Sequence, residues 1–171
     1  GLEGTGQNVE PGSGSTIMGY AGITSQNVQQ HSDAYFHINS IIQVQNNLVA
    51  KTCDIETPVN NNPPVITAMA DLTIPKGTAF VLTAQATDPE NDPMTYTWEQ
   101  VDNASSGTTI ANLGTLTNGP TFRSWTPTAS PTRYFPKFST VLAGNLKNNA
   151  DWEAVSTVAR TTNFRVTVRD N

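Results

Sequence analysis

Apolar residues alternate with polar ones in three stretches of the second half of the chain. They occupy every second position in residues 80–86, 94–98 and 164–168. A period of two is typical of strands that bury one face and expose the other. We therefore predict antiparallel strands here, with Thr95, Thr97 and Glu99 facing away from the core. Residues 103–160 contain several prolines and are expected to form a long irregular excursion.

A helical period precedes the strands, in residues 32–48. Its apolar stripe is spaced by three and four residues and consists of Ala34, Ile38, Ile41, Ile42 and Gln45. Ser32 is the predicted N-cap, and Asp33 places a negative charge in the first turn, where the helix dipole favours it. Because one amphipathic helix and a loop cannot form a core, we expect residues 1–53 to be the tail of a domain whose body lies upstream.

Composition divides the chain into two units. Residues 54–64 contain three consecutive Asn and three Pro, which indicates a short, stiff linker between residues 1–53 and residues 65–171. The alternation at 164–168 runs into the last residues of the sequence. We therefore expect the second unit to be a mainly β domain that lacks its last strand.

Charge and composition narrow the classes of function. The 171 residues include 14 acidic and 9 basic ones, for a net charge of −5, and contain no basic run. This balance argues against a nucleic-acid partner, and no apolar stretch approaches the length of a membrane span. The abundance of Thr and Asn favours a secreted or cell-surface protein. Two states are possible for Cys53, the only cysteine: it bonds to a partner outside this chain, or it is a buried free thiol.

The most specific motif of the first fifty residues is Ser-Thr-Ile-Met-Gly-Tyr-Ala-Gly at positions 15–22. It resembles the Met-turn of metzincin zinc peptidases. The longer run from Glu10 to His37 is similar to the reprolysin-like (M12B-type) secreted metallopeptidases of Bacteroidetes-type bacteria. The resemblance implies that Met18 and Gly19 form a turn beneath a zinc ion. It also puts Tyr20 where some metzincins have a tyrosine that reaches the zinc.

The chain departs from that family in its histidines. It has no H-E-x-x-H sequence, and its two histidines, His31 and His37, are six residues apart rather than at the i, i+4 spacing that two helical ligands need. We expect both to be structural or surface residues. The chain by itself is therefore predicted not to hydrolyse peptides. The resemblance implies a larger zinc metallopeptidase, with the zinc ligands in an upstream catalytic half and a protein or peptide as substrate.

A second motif places Asp88, Glu90 and Asp92 in a loop between two predicted strands. With Trp98 it resembles the B–C region of cadherin-like and PKD-like immunoglobulin-fold domains. That resemblance implies an antiparallel β-sandwich with Trp98 in its core. Closely spaced carboxylates suit Ca²⁺, and Asp71 or Asp170 would join them. The alternative is a solvated acidic turn whose Asp residues only set its geometry.

Two functions are therefore carried forward. The first is a non-catalytic C-terminal fragment of a secreted zinc metallopeptidase, with the Met-turn and an accessory immunoglobulin-like domain. The second is a calcium-binding adhesion or spacer module of a cell-surface protein, with no enzymatic role. An H-E-x-x-H-x-x-G-x-x-H helix upstream of Gly1 would distinguish the first from the second.

Overall fold

The fold was analysed in a computed structural model, which describes residues 6–53, 55 and 57–170. Strands outweigh helices in these ranges, and every strand pair is antiparallel, which confirms the predicted β-rich class. The elements in chain order are α1 (Ile38–Leu48), β1 (Val65–Ile66), β2 (Phe80–Thr83), β3 (Ala86–Thr87), β4 (Met94–Gln100), β5 (Thr132–Phe135), α2 (Phe138–Leu142), β6 (Lys147–Asn148), β7 (Glu153–Ala154) and β8 (Phe164–Asp170).

The strands predicted from alternation are present as β2, β4 and β8. They belong to four two-stranded sheets in the described ranges, which pair β1 with β3, β2 with β5, β4 with β8 and β6 with β7. The longest pairing joins β4 to β8 and places Trp98 opposite Val166. Between β4 and β8 the chain is largely irregular, as predicted, with only short elements. The immunoglobulin-like sandwich and the division at residues 54–64 stay predictions.

The core is an aromatic cluster between β2, β4, β5 and β8. Phe80 stacks on Phe135 with ring centroids 4.9 Å apart, and Phe164 meets Phe135 edge-on at 4.7 Å. Trp98 is buried in this cluster, and its indole N–H donates to the carbonyl oxygen of Pro131 at 2.9 Å. A buried Trp needs such an acceptor for its polar edge. The position of Trp98 agrees with what the immunoglobulin-like resemblance implied.

The outer face of β4 corrects one prediction. Thr97 and Glu99, expected to face away from the core into solvent, are buried, and Glu99 is 0% exposed. The reason is that the segment before α1 lies on this face, where Ile38 and Tyr35 are bonded to Glu99 and Ser124. The end of β4 is therefore buried on both faces.

The observed start of α1 differs from the predicted one. The helix begins at Ile38 and its N-cap is His37, whose Nδ1 accepts from the Asn39 amide at 3.1 Å, so the predicted start at Ser32 is wrong. Residues 32–37 are held by hydrogen bonds to the preceding loop instead. The Asp33 amide donates to the Ser15 carbonyl at 2.7 Å, and the Ile17 amide donates to the Tyr35 carbonyl at 3.1 Å. Asp33 faces Arg123 at 3.7 Å rather than a helix dipole.

Two further features bear on the partners of the chain. Cys53 is exposed with a free thiol, so the buried-thiol alternative is wrong. Among the described residues no helix combines the length and the apolar character needed to cross a lipid bilayer.

Candidate functional site

The loop before Met18 is shaped by one carboxylate. Glu10 Oε1 accepts hydrogen bonds from the Ser15 amide at 2.9 Å and the Thr16 amide at 3.2 Å, and Oε2 accepts from the Thr16 hydroxyl at 2.6 Å. Gly14 has a φ of +71°, and a Cβ there would fall 2.9 Å from Glu10 Oε2. The carboxylate and the missing side chain together allow the chain to fold back tightly.

Met18, Gly19 and Tyr20 form the turn that follows. The Gly19 amide donates to the Thr16 carbonyl at 2.9 Å, and the Tyr20 amide donates to the Ser13 carbonyl at 2.7 Å. A Cβ on Gly19 would lie 3.1 Å from both of these carbonyl oxygens. The turn therefore depends on the glycine, and it presents Met18 to solvent with 66% of its surface exposed.

An open cleft borders this turn and brings several predicted residues together. Met18 and Tyr20 line it with Glu10 and His37. The Glu10 carboxylate accepts hydrogen bonds from the loop amides, and His37 Nδ1 accepts one as the cap of α1. His31 is exposed. Within residues 6–53, 55 and 57–170 no three His, Cys, Asp or Glu side chains lie close enough to share a metal ion. The donors of the cleft therefore do not form a zinc site by themselves.

Large apolar side chains around the turn and along α1 are exposed. Ile23 is 76% exposed. In the amphipathic helix α1 no residue is fully buried: Ile38, Ile41 and Ile42 of the predicted stripe are half-buried, and Val44 and Leu48 are exposed. An amphipathic helix in a globular protein normally lays its apolar stripe on a core. Clustered exposed apolar groups are typical of interaction surfaces. The exposed members are Ile17, Met18, Tyr20, Ile23, Phe36, Val44, Leu48 and Val49.

A series of buried hydrogen bonds joins residues 35–38, at the start of α1, to β4. The Tyr35 hydroxyl donates to Ser124 Oγ at 2.8 Å, and Ser124 Oγ donates to Glu99 Oε1 at 2.6 Å. The Ile38 amide donates to Glu99 Oε2 at 2.7 Å, and His37 Nε2 lies 4.0 Å from Oε1. Every oxygen of the buried carboxylate therefore has a partner, as a buried charge requires.

The same burial shifts the acidity of two members of this series. Desolvation raises the pKa of Glu99, and the nearby His37 and the hydrogen bonds from Ser124 and Ile38 oppose that rise. Desolvation also raises the pKa of Tyr35, with a smaller contribution from the charge of Glu99. Sequence reasoning missed these residues. Ile38 and Glu99 are 61 positions apart, and no local pattern links them.

The acidic loop after β3 is an Asx turn. Asp88 Oδ1 accepts from the Glu90 amide at 3.0 Å and the Asp92 amide at 2.8 Å. Asp88 Oδ2 is buried and has no partner among the described residues. The Glu90 carboxylate binds Asn62, and that of Asp170 binds Asn61. Among the described residues, no three of the predicted calcium ligands, Asp71 included, lie close enough to share a metal ion.

No protein-family model matches the chain, and neither the curated proteins nor the solved structures include a match to it.

Proposed function

We propose that the chain is the Met-turn region and accessory β domain of a secreted zinc metallopeptidase, and that it is not catalytic by itself. Residues outside this chain would hold the zinc, which would supply an activated water for attack on a peptide carbonyl. The chain contributes the turn at Met18–Tyr20 and the helix α1. The β domain that follows has an immunoglobulin-like arrangement and serves as an accessory domain attached to the catalytic part.

The observation that carries this proposal is the exposed apolar surface on a braced turn. Glu10 and two glycines hold Met18 in a defined position, and yet its side chain is mostly in solvent. Ordering this loop around the half-buried Glu10 carboxylate is not needed to hold a methionine that only faces solvent. A catalytic domain body seated on Met18 and α1 accounts for both features.

Each residue then has a defined task. Met18 fills the irregular space below the zinc-binding imidazoles and fixes their positions, a use that suits a flexible thioether. Tyr20 lines the same cleft, and its task in this proposal is that of the tyrosine which reaches the zinc in some metzincins. His37 caps α1 and contacts Glu99, so its task is to dock α1 on the β domain.

The test uses the longest natural polypeptide that contains this chain, assayed for casein hydrolysis with and without a zinc chelator. Chelator-sensitive hydrolysis is expected. Met18→Ala should lower zinc affinity by roughly 10- to 100-fold, the usual effect of losing a residue that orients metal ligands. Met69→Ala is the matched control, since Met69 is also an exposed methionine but lies in the β domain. Absence of zinc-dependent hydrolysis, or equal effects of the two variants, overturns the proposal.

A second candidate function is a calcium-binding adhesion or spacer module on a cell surface. The observation in its favour is Asp88 Oδ2, a buried carboxylate oxygen without a partner. A hard cation would satisfy such an oxygen, and the Glu90 and Asp92 amides hold the other oxygen of the same carboxylate in place. Thermal unfolding with calcium and with chelator tests this candidate.

A further inference from the structure

A cleft of about 330 Å³ is bordered by β4, by β5 and by the start of α2. Its volume lies in the range of small-molecule sites, which begins at ~300 Å³. Among the described residues that line it, none is aliphatic and none is acidic. Five are Ser or Thr, two are cationic, and five are aromatic: Tyr96, Trp98, Trp125, Tyr134 and Phe138. A ligand that fits this lining combines apolar faces for the rings with polar groups for the hydroxyls.

Two of these rings form an exposed platform. Tyr134 and Phe138 have ring centroids 4.7 Å apart and planes tilted by 35°, and they are 42% and 48% exposed. The face of an aromatic ring carries partial negative charge, so it attracts C–H groups that neighbouring oxygens make slightly positive. A sugar ring presents such C–H groups on its face, because its carbons also bear oxygen.

The ring of Trp125 forms a rigid part of the lining. Its indole N–H donates to Glu153 Oε1 at 2.8 Å, and the Lys137 ammonium nitrogen lies 3.4 Å from its ring centroid. A side chain that is fixed before binding loses little conformational freedom when a ligand arrives. The cleft is therefore preorganised at Trp125.

Exposed hydroxyl groups lie in the same lining as the rings. Thr126, Thr128 and Ser130 border the cleft and are exposed, as is Tyr134. A hydroxyl group both donates and accepts hydrogen bonds, and so does each free hydroxyl of a sugar. The two sets of groups therefore match in either direction.

A proline-rich peptide, the other ligand typical of aromatic grooves, fits this cleft less well. Its prolines offer carbonyl acceptors but no N–H donors, so it gains from donors that are free to reach them. The indole N–H of Trp98 donates to the Pro131 carbonyl, and that of Trp125 donates to Glu153. Neither indole is left for a peptide carbonyl.

The two cations of the cleft are compensated within the chain. Arg133 Nη2 lies 2.9 Å from Glu153 Oε1, and Lys137 Nζ lies 2.9 Å from Asp151 Oδ1. An anionic ligand would compete with these carboxylates for the same cations. The charge balance therefore favours an uncharged ligand.

We propose that this cleft binds a neutral carbohydrate. The C–H face of one sugar ring lies on Tyr134 and Phe138, and the sugar hydroxyls bond to Thr126, Thr128 and Ser130. This site is independent of the zinc peptidase assignment, and it attaches the chain to a polysaccharide or to the glycan of a glycoprotein.

The experiment titrates the whole chain by calorimetry with four neutral tetrasaccharides: cellotetraose, xylotetraose, mannotetraose and chitotetraose. At least one should bind. Tyr134→Ala and Phe138→Ala should each weaken that binding roughly tenfold, because each removes an aromatic contact. Phe36→Ala is the matched control, since Phe36 is 40% exposed but does not line the cleft, and it should leave the affinity unchanged. Circular dichroism checks that the variants are folded.

Two further ligands test the chemistry of the occupant. Tetragalacturonate, which is anionic, and a blocked decaproline peptide should both bind more weakly than the neutral sugar. The proposal is overturned if no neutral tetrasaccharide binds or if either of these two ligands binds more tightly. It is also overturned if Phe36→Ala weakens sugar binding as much as Tyr134→Ala does.

Discussion

The first amide of α1, on Ile38, donates a 2.7 Å hydrogen bond to the carboxylate of Glu99, a fully buried residue of β4. Helix N-termini have unsatisfied amides and a partial positive charge, which an anion satisfies. Here the anion comes from a strand rather than from the helix's own cap. The contact fixes the helix to the β domain.

Removal of this carboxylate should be strongly destabilising. Glu99→Ala leaves the Ile38 amide, the Ser124 hydroxyl and His37 without their buried partner. Loss of one partner from a buried charged network costs about 3 kcal/mol. Urea unfolding measures the change, and Glu90→Ala, at an exposed carboxylate, should stay within about 0.5 kcal/mol. Equal losses in the two variants would show that Glu99 does not anchor α1.

Stability should depend on pH through Glu99. Its pKa in the folded chain is raised by burial, so the folded state holds the proton more tightly than the unfolded state does. Such a group contributes most below its unfolded pKa, and the contribution is lost as pH rises through the folded pKa. We expect the unfolding free energy of the native chain, relative to Glu99→Gln, to increase from pH 7 to pH 4.5.

The comparison with Glu99→Gln isolates this carboxyl from the neighbours that influence it, which include His37, Ser124, Ile38 and Glu10. Unfolding curves at several pH values for both proteins provide the measurement. A difference that grows as pH rises would mean that the folded chain favours the carboxylate over the acid.

Two glycines with similar backbones should respond differently to alanine. Gly12 and Gly77 have φ values of +56° and +71°, a region that costs a non-glycine residue about 1–2 kcal/mol. A Cβ on Gly12 would lie 2.5 Å from the Gln26 carbonyl and 2.7 Å from the Trp152 ring, whereas Gly77 has open space. Gly12→Ala should therefore destabilise the chain by clearly more than Gly77→Ala in chemical unfolding. A similar loss of stability in both variants would show that the backbone strain at positive φ, and not the steric contact of the added Cβ, determines the effect.

Calcium should stabilise the chain if the acidic loop binds it. The unfolded chain cannot assemble the site, so calcium at about 100 times its dissociation constant adds about 2.7 kcal/mol. The melting temperature should then rise by several degrees. Asp88→Asn keeps an oxygen for the Glu90 and Asp92 amides but removes the charge beside the buried Oδ2, and it should abolish the rise.

The control for that experiment is Asp151→Asn, a carboxylate outside the loop that pairs with Lys137. It should leave the calcium effect intact. Identical melting curves for the native chain with calcium and with chelator would assign Asp88, Glu90 and Asp92 to turn geometry alone.

The sequence by itself determined the three strands whose apolar and polar residues alternate. Alternation placed β2, β4 and β8, because side-chain direction in a strand depends only on neighbouring positions. The turn at Met18 and Gly19 is expected from the resemblance of residues 15–22 to a Met-turn, and the structure has a tight turn there, with the Gly19 amide bonded to the Thr16 carbonyl. Trp98 in the core followed from its place in an alternating run, together with the resemblance to immunoglobulin-like domains.

Only the tertiary structure decided what lies on the second face of β4 and where α1 begins. Glu99 shows the same alternating pattern as an exposed residue, and it is buried because a segment some sixty positions earlier lies across it. Ser32 has the residue type of an N-cap. The neighbouring Asp33 amide bonds instead to Ser15, and the Tyr35 hydroxyl bonds to Ser124. The helix therefore begins only at Ile38. Contacts between distant residues outweigh local propensity because each buried hydrogen bond left unmade costs more than a cap contributes.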